Sequence, residues 1–326
     1  MRTNHETQPA RQLTVEQLLA RALGRPVTFR RLRREPSAFT TLFPAEVLSA
    51  ELEGGGEVSV FVKHLGQEQS DHPEKQCRDR EVRIYEELLR DADLPVPRYH
   101  GVIWNEASGR LEVYLEHIND WNLKYQGLEH WFTAARRLAQ LHAHFAGQSE
   151  KLRASEFLLR FDADYFSEWA ERALSVVQNL SAELGAALKR VTSNYDRVTA
   201  ILTGQPLTLV HNDLSPKNVI ADRSCRPARI CFVDWEMAGI GCGLLDLVHL
   251  KYGLDRESDR TMCAMYCDAL ADTTLLPATP DGLARLFAAC ELHKTLYRLS
   301  FAKTWQLPIE RTAQWVAEAG QFFERV

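Results

Sequence analysis

The chain has 326 residues, 45% hydrophobic and 25% charged, with a net charge of −5 and a pI near 6.1. That length suggests about two domains with sizeable cores, and the mild acidity gives no bulk signature for nucleic acid or an anionic membrane. Seven cysteines lack CxxC spacing, no secretory leader is recognisable, and no apolar run approaches the ~18 residues of a membrane span; together these predict a reduced, cytoplasmic protein.

The first expected element is a helix starting at Thr14, a plausible N-cap with Gln17 three residues on, and ending at Gly24. Strands are expected at 27–34, 45–52 and 58–64, joined by a turn over 36–43 and by Gly54-Gly55-Gly56. The cluster Arg30-Arg31-x-Arg33-Arg34 reads as a solvated strand face. In the third strand Val60 and Val62 share one face, while Phe61 and Lys63 share the other. A lysine beside a large apolar residue is unusual for a position facing water. A helix follows over 73–90, with Glu81, Tyr85, Leu88 and Leu89 on one stripe. A glutamate bordering such a stripe can pair with a lysine on the sheet beneath, and Glu81 lies eighteen positions after Lys63. Leu94 to Arg98 must be extended, because prolines and the residues before them disfavour helix. Segments 102–104 and 111–117 form another hairpin around Ser108-Gly109.

From Leu128 the pattern turns helical, with Ala135, Leu138, Ala139, Leu141 and His142 on one broad face. His142 and His144 lack ligand partners at helical spacing and read as structural. Further helices fill 150–202. Within them Asp162, Asp164, Glu168 and Glu171 fall among Phe161, Tyr165, Phe166 and Trp169. Acidic and aromatic side chains together could hold a cationic ligand; the plainer reading is a solvated amphipathic helix. Cys263 and Cys267 share a helix face as packing residues. His293, Lys294 and Arg298 lie on one side of a later helix and favour an anionic ligand if they face the site, while Trp305 and Trp315 read as packing residues.

The stretch that carries chemistry is Val210-His211-Asn212-Asp213-Leu214-Ser215-Pro216-Lys217-Asn218. An apolar run ends at His211, resumes at Val219-Ile220, and is followed by Ile230 to Val233 leading into Asp234. This is strand, loop, strand, loop, with three oxygen-bearing side chains on the loops. Asp213 can accept a proton. Asn218 and Asp234 offer the hard oxygens that Mg²⁺ prefers when it also binds phosphate. Phosphoryl transfer needs an oriented hydroxyl and a metal-neutralised triphosphate more than a covalent nucleophile. Only twelve positions separate Asp234 from Asp246. That span leaves little room for an activation segment or a peptide platform, so it favours a small-molecule acceptor over a protein.

His211-x-Asp213-x4-Asn218, followed by Asp234-Trp235-Glu236, resembles the catalytic and metal-binding loops of kinase-like phosphotransferases, closest to the aminoglycoside phosphotransferase and choline kinase group. The resemblance spans roughly 27–250. It implies an α+β, bilobal protein-kinase-like fold that uses ATP and Mg²⁺. An N-lobe over 1–118 would carry an antiparallel sheet and one main helix, and a larger, mostly helical C-lobe would fill 119–326. It also implies roles. Asp213 would orient the acceptor hydroxyl and take its proton, with Lys217 reaching the γ-phosphate. Asn218 and Asp234 would hold Mg²⁺. Lys63 would contact the α- and β-phosphates, paired with Glu81. Backbone groups of Glu116 and Ile118, at an interlobe hinge, would read the adenine edge. The first hairpin, 36–41, would cover the phosphates; it contains no glycine, so contacts would fall to backbone amides and to Ser37, Thr40 or Thr41. Asp246 would hold the catalytic loop through its backbone and His211 would brace it. The glycine-free hairpin keeps open a nucleotide-binding scaffold without catalysis. A protein kinase and transfer of AMP are further alternatives. The partner expected is a small hydroxylated acceptor (aminoglycoside, amino alcohol, sugar or natural product), with no nucleic acid and no membrane; no motif names it, and none specifies an oligomeric state.

Overall fold

The computed structural model describes residues 7–37, 43–66, 72–75, 77, 79–90, 93–105 and 108–326. Contacts divide the chain into two units: Met1–Trp121 with Ile220–Glu236, and Asn122–Val219 with Met237–Val326. The break expected after 118 thus falls after Trp121, and a later segment returns to the first unit.

The first unit begins with α1 (Thr7–Leu23), longer at its start than the capping signal suggested, then β1 (Phe29–Pro36), β2 (Ala45–Leu52) and β3 (Glu57–Leu65). A 3₁₀ turn at Pro73–Lys75 precedes α2 (Arg80–Ile84), which continues as a π-helical turn, Tyr85–Leu89; β4 (Tyr99–Asn105) and β5 (Arg110–Glu116) follow. The strands form one antiparallel sheet in the order β1-β2-β3-β5-β4. Period-two alternation puts Val60 and Val62 with Leu48, Ala50 and Tyr114 on the face covered by Val15 and Leu19 of α1. Each such aliphatic side chain, once buried, contributes about 1.5–3 kcal/mol. Gly55 and Gly56 turn the β2–β3 hairpin at φ 84° and 92°, where a side chain would be strained. Arg30, Arg31 and Arg33 of β1 are exposed, in keeping with a solvated face. The single helix expected over 73–90 is instead a 3₁₀ turn, a short α-helix and a π turn. The Arg80 guanidinium donates to the Glu74 carbonyl and ties the first two pieces together. The wider π turn lets Tyr85, Leu88 and Leu89 all face inward.

The second unit opens with α3 (Leu128–Ala146), α4 (Ser149–Ala154), β6 (Leu159–Arg160), α5 (Ala163–Leu180), α6 (Ala182–Thr192), α7 (Asp196–Thr203) and β7 (Thr208–Val210). The strand pair β8 (Val219–Asp222) and β9 (Arg229–Phe232) then lies almost wholly in the first unit. Back in the second come β10 (Gly239–Gly241), α8 (Leu244–Leu250), α9 (Arg256–Asp268), α10 (Pro280–Leu299) and α11 (Ile309–Phe323). Side-chain caps fix several helix starts: Asp162 accepts from the Tyr165 amide, Ser181 from Leu184 and Asp255 from Ser258. Helix α10 is buried around most of its circumference and packs on α5, α7, α8 and α11, so it forms the axis of this unit. On α5, Phe166, Trp169, Ala173 and Val177 face inward while Asp164, Glu168 and Glu171 are exposed. Strand β10 joins β6 and β7, and Gly239 is required there: a Cβ would sit 2.7 Å from both the Leu159 carbonyl oxygen and Phe161 Cζ. Among the described residues no helix is long and apolar enough to cross a membrane.

Candidate active site

Lys63 sits on the face of β3 opposite α1, where the sheet meets α2. Its Nζ lies 2.7 Å from Glu81 Oε2 and 2.5 Å from Asp234 Oδ1. Burial works against the ammonium, but Asp234, Glu81 and Glu236 together raise its pKa well above the ordinary value. Burial also pushes the Glu81 carboxyl up, with Lys63 drawing it back. A cation held between two carboxylates in a nearly dry setting stays charged. Asp234 follows β9 and adopts a left-handed φ of 70°. Such backbone costs about 1–3 kcal/mol in a non-glycine residue and persists only where its surroundings over-determine it. Those surroundings are visible. Fully buried Trp235 donates from Nε1 to the Phe232 carbonyl, and the Phe232 amide donates to Pro95. Glu236 pairs with Lys75, and Arg80 donates to the Glu236 carbonyl at 2.7 Å. Lys75 and Arg80 carry no signal in the sequence, because their partners lie more than 150 positions away.

In the second unit β7 ends at Val210 and delivers the loop. The amides of His211 and Asn212 donate to the two oxygens of Asp246, at 2.7 and 2.8 Å. His142 Nε2 approaches the same carboxylate at 3.3 Å and its Nδ1 meets the Tyr266 hydroxyl at 2.7 Å. Burial opposes the Asp246 charge, yet these hydrogen bonds hold its carboxyl below the usual range. His142 is therefore part of the support for the loop. Asn212 is left-handed, with φ 66°. Its carbonyl accepts from Lys294 Nζ at 3.0 Å and from His249 Nδ1 at 3.2 Å. Its side chain accepts from Lys294 at 2.8 Å and donates to the Tyr165 hydroxyl at 3.3 Å. Burial, with Lys294 and Arg298 nearby, drives His249 well below its ordinary pKa, so it acts here as a neutral donor. Asp213 comes next, partly exposed. The Asn218 amide nitrogen donates to the Asp213 carbonyl at 2.8 Å and to Oδ2 at 3.0 Å, which turns the Asn218 side-chain oxygen away from the pair. Lys217 Nζ stands 3.4 Å from Asp213 Oδ2, half exposed.

The structure thus brings Lys63, Glu81 and Asp234 together in one unit, and Asp213, Lys217 and Asn218 together in the other. The Ser37 amide donates to Ala45, which pairs with Lys63 across the sheet. Thr40 and Thr41 lie outside the described residues. At the expected hinge the Glu116 carboxylate is engaged by Arg229 and by the Arg98 amide, its own amide donates to Arg98, and Ile118 is buried. The acids of α5 point to solvent or, for Asp162, cap the helix, in line with a solvated amphipathic helix. One reading needs correction: Trp305 is half exposed, stacked on Phe301, because it sits beyond the end of α10. Among the described residues no group of three or more His, Cys, Asp or Glu could hold a metal by itself.

The sequence pattern of the phosphotransferase enzyme family matches residues 67–285. The chain belongs to that family. It is an enzyme, a small-molecule kinase, and its fold is the α+β protein-kinase-like fold with an N-terminal antiparallel sheet and a mostly helical remainder. Similar solved structures include the GDP complex of wild-type aminoglycoside 2'-phosphotransferase-IIIa (14% identity, 96% of this chain and 97% of that one, TM-score 0.58). They also include a microcompartment-associated aminopropanol kinase (17%, 94% and 95%, TM-score 0.60) and choline kinase from Cryptosporidium parvum (15%, 90% and 87%, TM-score 0.51). At these identities the likeness is one of fold. No curated protein matches the chain by sequence.

Proposed function

We propose that the protein transfers the γ-phosphoryl group of ATP to a hydroxyl of a small molecule, with Mg²⁺ bound to the nucleotide. The observation that carries this reading is the buried Lys63 ammonium held between Glu81 and Asp234. A buried cation fixed beside a partly exposed carboxylate suits the phosphates of a nucleotide, whose charge must be neutralised for phosphoryl transfer. Of the first hairpin, the Ser37 side chain is proposed to add a phosphate contact. Main-chain groups at Glu116 and Ile118 read the base.

The donor chemistry fits Mg²⁺. Asp234 offers a carboxylate and Asn218 an amide oxygen, both hard ligands, and the small number of protein donors suits an ion that arrives with phosphates and waters. Bound there, the ion would draw charge from the phosphate oxygens. Asp213 positions the acceptor hydroxyl and takes its proton; the hydrogen bond from Asn218 fixes which way its carboxylate faces. Lys217 stands ready for the γ-phosphate. The test is ADP release over a panel of hydroxylated metabolites and aminoglycosides, with Asp213→Ala as control. Loss of about 10²–10⁴-fold is expected for a group in this role. Turnover by Asp213→Ala within about tenfold of wild type would remove it from that role.

A further inference from the structure

We infer that the second unit carries an oxyanion site, built by Arg298 and Arg311 around Tyr252, that takes a carboxylate or phosphate group of a small ligand. Arg298 lies on α10 one turn after Lys294. Lys294 is committed to Asn212. Arg298 is 9% exposed, and among the described residues its guanidinium finds no hydrogen-bond acceptor; Nη2 is buried outright in that state. The two carboxylates whose charge reaches it, Glu291 and Glu318, are engaged by Lys251 and by Gln314. Burial, the largest influence, pulls the Arg298 pKa below its ordinary value, and Tyr252, Glu291 and Glu318 restore it only in part against Arg311. An arginine stays protonated even so. Leaving buried charged donors unmet is costly, and a ligand, an ion or water usually satisfies them.

The surroundings decide what can meet it. The Arg298 Cζ stands 3.5 Å from the centroid of the Tyr252 ring. At that height the guanidinium lies flat on the ring, since a tilted one would drive a nitrogen into it. Its N–H groups therefore point sideways, in the plane where two of them can receive one oxyanion together. The Tyr252 hydroxyl accepts from Arg311 Nη2 at 2.8 Å and from Trp315 Nε1 at 3.1 Å, which fixes the ring and brings a second guanidinium to its edge. Arg311 Nη1 donates to Gln314 at 2.7 Å, and among the described residues Arg311 has no carboxylate partner. Tyr252 is 38% exposed and Arg311 is exposed, so the pair opens on solvent. Two guanidinium groups on one tyrosine, with no carboxylate between them, repel a cation and suit an anion. Water could meet the same N–H groups, but only an anion also offsets their charge.

In the isotope-labelled full chain, the Nε–H resonance of Arg298 can be assigned by its loss in Arg298→Gln or, should that variant not fold, in Arg298→Lys. It is then followed by nuclear magnetic resonance during titration with inorganic phosphate and, separately, with acetate, each against chloride at equal ionic strength. The signal should shift saturably with an oxyanion and not with chloride. In Arg311→Gln the apparent Kd should rise about two- to fivefold, the scale of an exposed charge pair. Tighter binding of phosphate would mark a phosphorylated ligand and tighter binding of acetate a carboxylate ligand; either result supports the site. No saturable shift with either oxyanion, a shift matched by chloride, or an affinity unchanged in Arg311→Gln would overturn it. Phosphate bound only where a nucleotide sits would leave the Arg298 signal unmoved and so counts against the site. The readout involves no ATP turnover, so its failure and that of the phosphotransferase reading are separate results.

Discussion

Lys294→Met isolates the support of the catalytic loop from the loop itself. Lys294 is 1% exposed, and its Nζ gives two hydrogen bonds to Asn212, one to the side chain and one to the carbonyl. That carbonyl belongs to the peptide leading into Asp213. Methionine keeps the length of the stem and removes both bonds. Charge-assisted bonds are worth about 1.5–3 kcal/mol each, but the substitution also relieves a buried charge, which offsets much of the loss in global stability. The local balance differs. Holding Asn212 at φ 66° costs about 1–3 kcal/mol, and without Lys294 the restraints that stay include the Asp246 clasp, the Tyr165 hydroxyl and the 3.2 Å bond from His249. The peptide then relaxes and Asp213 turns with it. Misplacement of a reacting group by about 1 Å can cost about 10²-fold in rate. The expected result is a fall in kcat of about that size, with nucleotide affinity by thermal-shift titration essentially unchanged. Asn212→Gly removes both the strain and the side-chain partner, so Lys294→Met should cost less in that background, a coupling of about 0.5–3 kcal/mol. The reasoning fails if kcat holds within threefold, if the loss lies wholly in nucleotide binding, or if the two changes are additive.

Lys63→Met leaves Glu81 and Asp234 facing each other without their cation; urea denaturation should show a loss of about 3–5 kcal/mol, and ATP should no longer raise the melting temperature. His64 lies between Glu46 and Glu112 at 3.1 and 3.5 Å, and hydrogen bonds to Glu112 and Glu46 raise its pKa to about 9. Its contribution is therefore complete below about pH 6.5 and is lost as pH rises through about 9, up to about 3 kcal/mol in all; His64→Gln should flatten the fall in stability over that window, and an unchanged slope would exclude the histidine as its source. Gly239→Ala drives a Cβ into Leu159 and Phe161 and should lower unfolding free energy by about 1–3 kcal/mol by overpacking; a neutral result would mean that β6 and β10 can separate freely.

The strands and the chemical residues were legible because local pattern specifies them. Alternation set β2 to the residue, and the eighteen-position spacing of Lys63 and Glu81 matches the ion pair that forms. The family resemblance implied that Asp246 holds the loop, and its clasp on the loop is there. What escaped depends on partners far away in sequence. Lys294 reads, with His293 and Arg298, as a contact for an anionic ligand, and only the burial of nearly every side of α10 makes it a donor to a loop 82 positions earlier. Around the break in the 73–90 helix Arg80 reaches the Glu236 carbonyl, 156 positions away, which no local window contains.

The first unit is made of two stretches of chain, and residues 122–219 are synthesised between them. At about 5–20 residues per second, the ribosome takes about 5–20 s over that interval. Throughout it Lys63 has Glu81 but not Asp234, and Pro95 has no Phe232 amide to receive. The unit therefore cannot complete itself during its own synthesis; it waits for the loop of Asp213 to be made first. A fragment stopped at Trp121 should remain in that waiting state, short of the residues that close it.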